Sequence, residues 1–282
     1  MFYRFRPIPA AVLLGLGLAV LSACQKPPAG AGDPTPPAAP PAPGTVPAAV
    51  TSDYVLYAHL NVKAIREGAV FTDLMRAVAK NGVTKLWDQI EGEQSRDLGF
   101  KPTDLDSVTV CVTEIPPHQV GRLVLILASS KPFDKAATFR LGAQARPDAR
   151  GFYTAPGEGM LYHYPDEKTV VMLHKDLAQK YLDGYAKDRT AWPTTADLTK
   201  AAGDHTGFAL LNVQKLPIKE LRPELTRKFG AMLNAQTVVL TADLDGTELS
   251  VAGRATFADA DAAEKGKAAS GKVLGDATGE AK

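Results

Sequence analysis

Apolar and polar residues alternate with a period of two in several short segments of this chain. Residues 107–113 place Val108, Val110 and Val112 on one side and Thr109, Cys111 and Thr113 on the other, which is the pattern of a strand. Residues 123–128 follow as a second strand, across a loop holding Pro116 and Pro117. Residues 237–243 and 248–256 flank Asp245-Gly246, a strong hairpin signal. Three more strands are expected at 152–154, 160–164 and 169–173, with turns at Pro156-Gly157 and Pro165-Asp166. Residues 176–186 then read as a short helix carrying Leu177, Tyr181, Leu182 and Tyr185.

A repeat organises these elements. Tyr57-Ala58-His59-Leu60-Asn61-Val62 returns as Phe208-Ala209-Leu210-Leu211-Asn212-Val213, with four of six positions identical and one aromatic exchanged for another. Each copy ends a short apolar strand. Helical spacing follows both: Ile65, Leu74, Met75 and Val78 after the first, Leu216, Leu221, Leu225 and Phe229 after the second. Asn61 and Asn212 therefore fall where a helix N-cap is wanted, because an Asn side chain accepts from a free backbone N–H. Each copy leads on to a pair of strands and a further helix, beginning near Phe133 or Phe257.

The order strand, helix, strand, strand, helix thus occurs twice, over about 52–145 and 204–275, with the strands and helix of about 151–187 inserted between. The expected fold is α+β, a predominantly antiparallel sheet with helices packed mainly on one side and an internal duplication. The pattern leaves open whether the halves share one sheet.

The first 50 residues follow other rules. Arg4 and Arg6 precede an apolar stretch at 8–21, and the small residues Ser22 and Ala23 lead to Cys24. A stretch of 14 residues is too short to span a bilayer, which needs about 20; the parts are those of a secretory signal. Leu21-Ser22-Ala23-Cys24 resembles the lipobox of bacterial lipoproteins. The resemblance covers only about the first 25 residues. It implies removal of 1–23 as a signal peptide, a diacylglycerol on the Cys24 thiol and acylation of the new amine. Two or three acyl chains, at about 0.8 kcal/mol per buried methylene, make a lasting anchor. In that family an Asp after the cysteine favours the inner membrane, so Gln25 favours the outer membrane, facing the periplasm. Residues 24–49 read as the lipidated cysteine and its tether: nine of the 21 prolines lie between Pro27 and Pro47, with no aromatic residue among them. Such a segment cannot offset the entropy of ordering. The globular part is expected over 50–282.

Charge and chemistry narrow the function mainly by exclusion. Removal of Arg4 and Arg6 would leave 30 basic against 31 acidic residues, which argues against a nucleic-acid partner. With Cys24 acylated, Cys111 has no intrachain partner, and no basic neighbour in sequence would activate it. The five histidines, His59, His118, His163, His174 and His205, are scattered. No His-Glu-x-x-His, Gly-x-Ser-x-Gly or spaced cysteine pair occurs, so no metal, cofactor or catalytic residue is expected. Gly266 to Lys272 has the spacing of a phosphate loop, but Val273 stands where Ser or Thr is required, and a helical pattern precedes it. The acidic groups Asp243, Asp245, Glu248 and Asp259, Asp261, Glu264 fit a turn and a helix start better than calcium loops.

One block offers a surface for a ligand. Tyr162 and Tyr164 share a strand face, His163 takes the other, and Phe152 and Tyr153 lie near in sequence. Cross-strand aromatic pairing is the plainer account of them, and a ligand platform is the functional alternative. The expectation is a non-enzymatic, lipid-anchored envelope protein with a binding or scaffolding role. Its partners would be the membrane, through the acyl chains, and an envelope protein or apolar ligand. The alternatives are a carrier of a lipid or other apolar ligand, which an open apolar sheet face would favour, and a hydrolase, which would need His59, His163 or His174 to meet an Asp and a Ser.

Overall fold

A computed structural model of the chain describes residues 54–80, 92, 95, 98–115, 122–138, 141, 145–154, 159–184, 186–187, 196–203, 205–216, 230–246 and 248–279. The signal, Cys24 and the tether lie outside these residues, as do His118 and Tyr185.

The strands are β1 (Leu56–Asn61), β2 (Leu105–Glu114), β3 (Arg122–Ser129), β4 (Tyr153–Thr154), β5 (Met160–Asp166), β6 (Thr169–His174), β7 (Gly207–Asn212), β8 (Thr237–Asp245) and β9 (Glu248–Thr256). They form a single sheet in the order β4-β5-β6-β3-β2-β1-β7-β8-β9. All neighbours are antiparallel. Among the described residues the α-helices are α1 (Val62–Glu67), α2 (Ala69–Lys80), α3 (Ala178–Asp183), α4 (Ala196–Gly203) and α5 (Ala260–Gly279). The class is α+β, mostly antiparallel sheet.

The two similar segments become β1 and β7, and these strands are neighbours. Ala58 pairs with Ala209, Tyr57 with Leu210 and His59 with Phe208. One sheet therefore holds both halves.

Local chemistry shaped several elements differently from the sequence pattern. The helix expected after Asn61 is two helices. Asn61 Oδ1 accepts from Ala64 N at 2.9 Å and caps α1, but Gly68 takes an extended conformation and stops it, its N–H donating to Ile65 O. After Asn212 the described residues form a 3₁₀ turn over Val213–Lys215, with no side-chain cap. Leu221, Leu225 and Phe229 lie outside the described residues. Near Phe133 the chain makes a turn at 135–137 in place of a helix. Strand β5 runs through Pro165 to Asp166, with a register shift between His163 and Asp166. A bulge is a place that tolerates a proline inside a sheet. The turn moves to Glu167-Lys168, where Asp166 Oδ1 accepts from Lys168 N at 2.7 Å. The segment that imitates a phosphate loop lies within α5. Its Gly266 lets the Phe257 ring lie against the helix, since a Cβ there would sit 2.2 Å from Phe257 Cζ.

The sheet has two unlike faces. One presents Tyr57, Cys111, Val124, Leu173, Phe208 and Leu210, all buried in one cluster with Ala178 and Tyr181 of α3 and Leu198 and Ala202 of α4. Each fully buried side chain of Leu or Phe size contributes about 1.5–3 kcal/mol. The other face carries a smaller cluster at one end, where Leu105, Val108, Leu127 and Val170 meet Phe133, with Val62 of α1 packed against it.

Candidate functional site

The second face is where the structure leaves apolar surface incompletely covered. Leu56, Val112, Leu211 and Val238 fall in one row across β2, β1, β7 and β8. Ala58, Val110, Ala209 and Leu240 fall in the next. None of these eight is buried, although β1, β2, β7 and β8 are all interior strands of the sheet. Their neighbours along the same strands, Tyr57, Cys111, Leu210 and Val239, point to the helical side and are buried. Exposure grows toward β9: Leu240 is 47% exposed and Val251 52%. Isolated exposed apolar residues are ordinary, whereas contiguous ones mark interaction surfaces. Alternation in 237–243 foretold which side chains share a face. The sequence pattern held no signal that one face would stay half open, because both faces of these strands are apolar.

Tyr162 and Tyr164 do share this face, as alternation required. Tyr162 is 2% exposed and pairs with Met172 and Tyr153 in register. Tyr164 is half-buried. Tyr153 meets its ring edge-on at 5.5 Å, and Lys135 Nζ lies 5.5 Å from the ring centre. Burial pushes the Tyr164 phenol up to about 12, opposed by the nearby Thr138 side chain. Its oxygen makes no hydrogen bond of normal geometry among the described residues. The two rings therefore fill the sheet interior and a half-covered rim, with Tyr153 and Lys135 already on Tyr164.

The histidines are held one by one. His59 Nδ1 lies 2.8 Å from Thr109 Oγ1, and desolvation lowers its pKa. His163 Nδ1 lies 2.8 Å from the Tyr181 hydroxyl, with the Phe152 ring 5.5 Å away. His174 Nδ1 accepts from Asp176 N at 3.3 Å. His205 Nδ1 lies 2.8 Å from Asp243 Oδ2, and the other oxygen of that carboxylate accepts from Thr206 N at 3.1 Å. The His205–Asp243 pair was not legible in the sequence, because 38 residues separate its members. Their meeting follows from β7 and β8 being neighbours. Among the described residues, no three His, Cys, Asp or Glu side chains group as metal ligands would. Cys111 is fully buried, and desolvation pushes its thiol pKa far up.

Asp148 ties down the loop before β4. Its Oδ1 accepts from Phe152 N at 3.0 Å and Arg150 N at 2.9 Å. These bonds, that to Phe152 first, and the Arg150 guanidinium hold the carboxyl below the usual aspartate range. The charges of Asp148 and Arg150 thus satisfy one another within the loop.

No family model matches the chain, and no curated protein or solved structure shows significant similarity to it.

Proposed function

We propose that the chain is a lipid-anchored protein of the bacterial cell envelope. Acyl chains on Cys24 hold it, at the outer membrane and facing the periplasm, and residues 25–49 tether a globular part formed by 50–282. That part binds or scaffolds a partner and carries out no reaction. The observation that carries the binding role is the half-open apolar face around Leu56, Leu211, Val238 and Leu240. Burying such surface contributes about 25 cal/mol per Å², so a ligand or protein that covers it gains affinity without any catalytic group.

Duplication accounts for the symmetry of this face. Ala58 and Ala209 hold the same place in the two similar segments, and they pair with each other. Tyr57–Leu210 and His59–Phe208 are then images of one another. This is the arrangement expected of two copies related by a local two-fold axis between β1 and β7. On this reading α3 belongs to the inserted block, α4 falls between that block and the second unit, and both pack on one side of the sheet.

A second reading is a carrier of a lipid or other apolar ligand. It is favoured by the same face, where the interior strands β1 and β7 bear only apolar side chains. Photo-cross-linking in cells from a probe at Leu240 separates the readings. A discrete adduct of protein mass supports the scaffold, and one of lipid mass supports the carrier. A yield no higher than from a probe at the exposed Lys265 of α5 overturns both.

A further inference from the structure

We infer that two copies of this chain pair through the outer edge of β9, antiparallel and centred on Val251, to make one continuous sheet. This goes beyond the binding role above and does not depend on the lipid anchor.

Strand β9 is built unlike a terminal strand. None of its nine residues is buried on either face. It pairs with β8 over nine consecutive residues without a register shift. It contains no proline and no lysine. Sheet edges that must stay single are kept short, bulged, prolyl, covered or charged, with lysine foremost; β9 carries two charges, Glu248 and Arg254, near its two ends. The opposite edge of this sheet follows that rule, since β4 has two residues. The two strands that end the two hairpins are also treated differently: β3 receives β6 along its outer edge, while among the described residues no strand lies beyond β9.

Charge selects both the occupant and the register. Glu248, Ser250, Ala252 and Arg254 share one face of β9, opposite Asp245, Asp243, Thr241 and Val239. Glu248 thus faces the like charge of Asp245. Neither Glu248 nor Arg254 has an ion-pair partner among the described residues. A second β9 running antiparallel about Val251 sets each Glu248 opposite the other copy's Arg254. That gives two ion pairs flanking a Val251–Val251 contact. Registers centred on Ser250, Ala252 or Gly253 lose both pairs. The centred register also joins the two exposed apolar patches at Leu240 and Val251 across the new seam, so cross-strand packing and charge act together.

The test uses the purified full chain carrying Val251→Cys. Directly opposed residues of antiparallel strands have Cα atoms about 4.5–5.5 Å apart, within reach of a disulfide. Mild oxidation should give a covalent dimer. Leu249→Cys should not, because its two copies would stand four residues out of register, about 13 Å apart. The unsubstituted chain, oxidised alongside, measures any linkage through Cys24. In the Val251→Cys background, Glu248→Arg and Arg254→Glu should each cut the dimer yield several-fold by placing like charges opposite each other. The double exchange should restore it. A monomer after oxidation, equal linkage from Leu249→Cys, or no rescue by the double exchange would overturn the proposal. These readouts hold whether or not a lipid or protein occupies the apolar face.

Discussion

Tyr57 and Phe208, the leading aromatic residues of the two similar segments, meet edge to face with ring centroids 6.0 Å apart. Each is buried, and Tyr54 joins them at 6.1 Å from Tyr57. The contact arises because β1 and β7 pair antiparallel, so Tyr57 stands opposite Leu210 and Phe208 opposite His59 on the same face. Within the main core cluster, these rings are where the two similar segments touch.

Truncation of either ring should be costly and the costs should not add. Tyr57→Ala and Phe208→Ala are each expected to destabilise by about 3–5 kcal/mol. A double-mutant cycle in urea should show about 0.5–1.5 kcal/mol of coupling, the usual worth of an edge-to-face pair. Strict additivity would mean that the rings merely fill space independently.

The two asparagines should behave differently, despite their equal places in the repeat. Asn61 caps α1 through its side chain, so Asn61→Ala should cost about 0.5–2 kcal/mol and Asn61→Ser should recover most of it. Asn212 is buried and precedes a 3₁₀ turn without capping it. Asn212→Ser should therefore recover little of what Asn212→Ala loses. Thermal or urea denaturation of the four variants decides, and equal rescue at both sites would restore the expected equivalence.

What the sequence pattern revealed, and what it hid, divides along a physical line. Period-two alternation placed β2, β3 and β8 within a few residues, because each must send one set of side chains to a helix-covered core, and the hairpin signal placed β9. Asp245-Gly246 marked its hairpin through backbone strain, since Gly246 adopts φ 60°. Pairing order was hidden. It depends on contacts such as Ala58 with Ala209, 151 residues apart in the chain, which no local pattern encodes. The helix after Asn61 was overextended because apolar spacing runs on across Gly68, where the backbone turns away. The aromatic block was legible as a face but not as a depth, and Tyr162 proved to be interior.

Cys111 should be chemically silent in the native protein. The thiolate is the reactive form, and full burial holds the thiol protonated. A thiol reagent applied to the folded chain at pH 8 should leave Cys111 unmodified, and labelling should track the unfolding transition in denaturant. Fast labelling without denaturant would show that the sheet opens locally at β2.

His59 should make stability depend on pH near neutrality. Its ring sits in the core row beside Thr109 and Phe208, and desolvation lowers its pKa from the ordinary 6.5. The unfolded chain therefore takes up a proton at His59 at a higher pH than the folded chain does. Stability from this group is complete above about pH 6.5 and falls as pH drops toward the folded value, by at most about 1.4 kcal/mol per pH unit for one group. The repeat suggests the test substitution, because Leu210 fills the corresponding place in the second segment. His59→Leu leaves the Thr109 hydroxyl without this partner, a cost of about 1–3 kcal/mol, but adds apolar burial of similar size. Its stability at pH 8 should thus lie near that of the unsubstituted chain. Below pH 6.5 the urea midpoints should separate, the unsubstituted chain falling faster. Parallel curves from pH 8 to pH 5 would show that His59 accepts its proton as readily in the fold as in water.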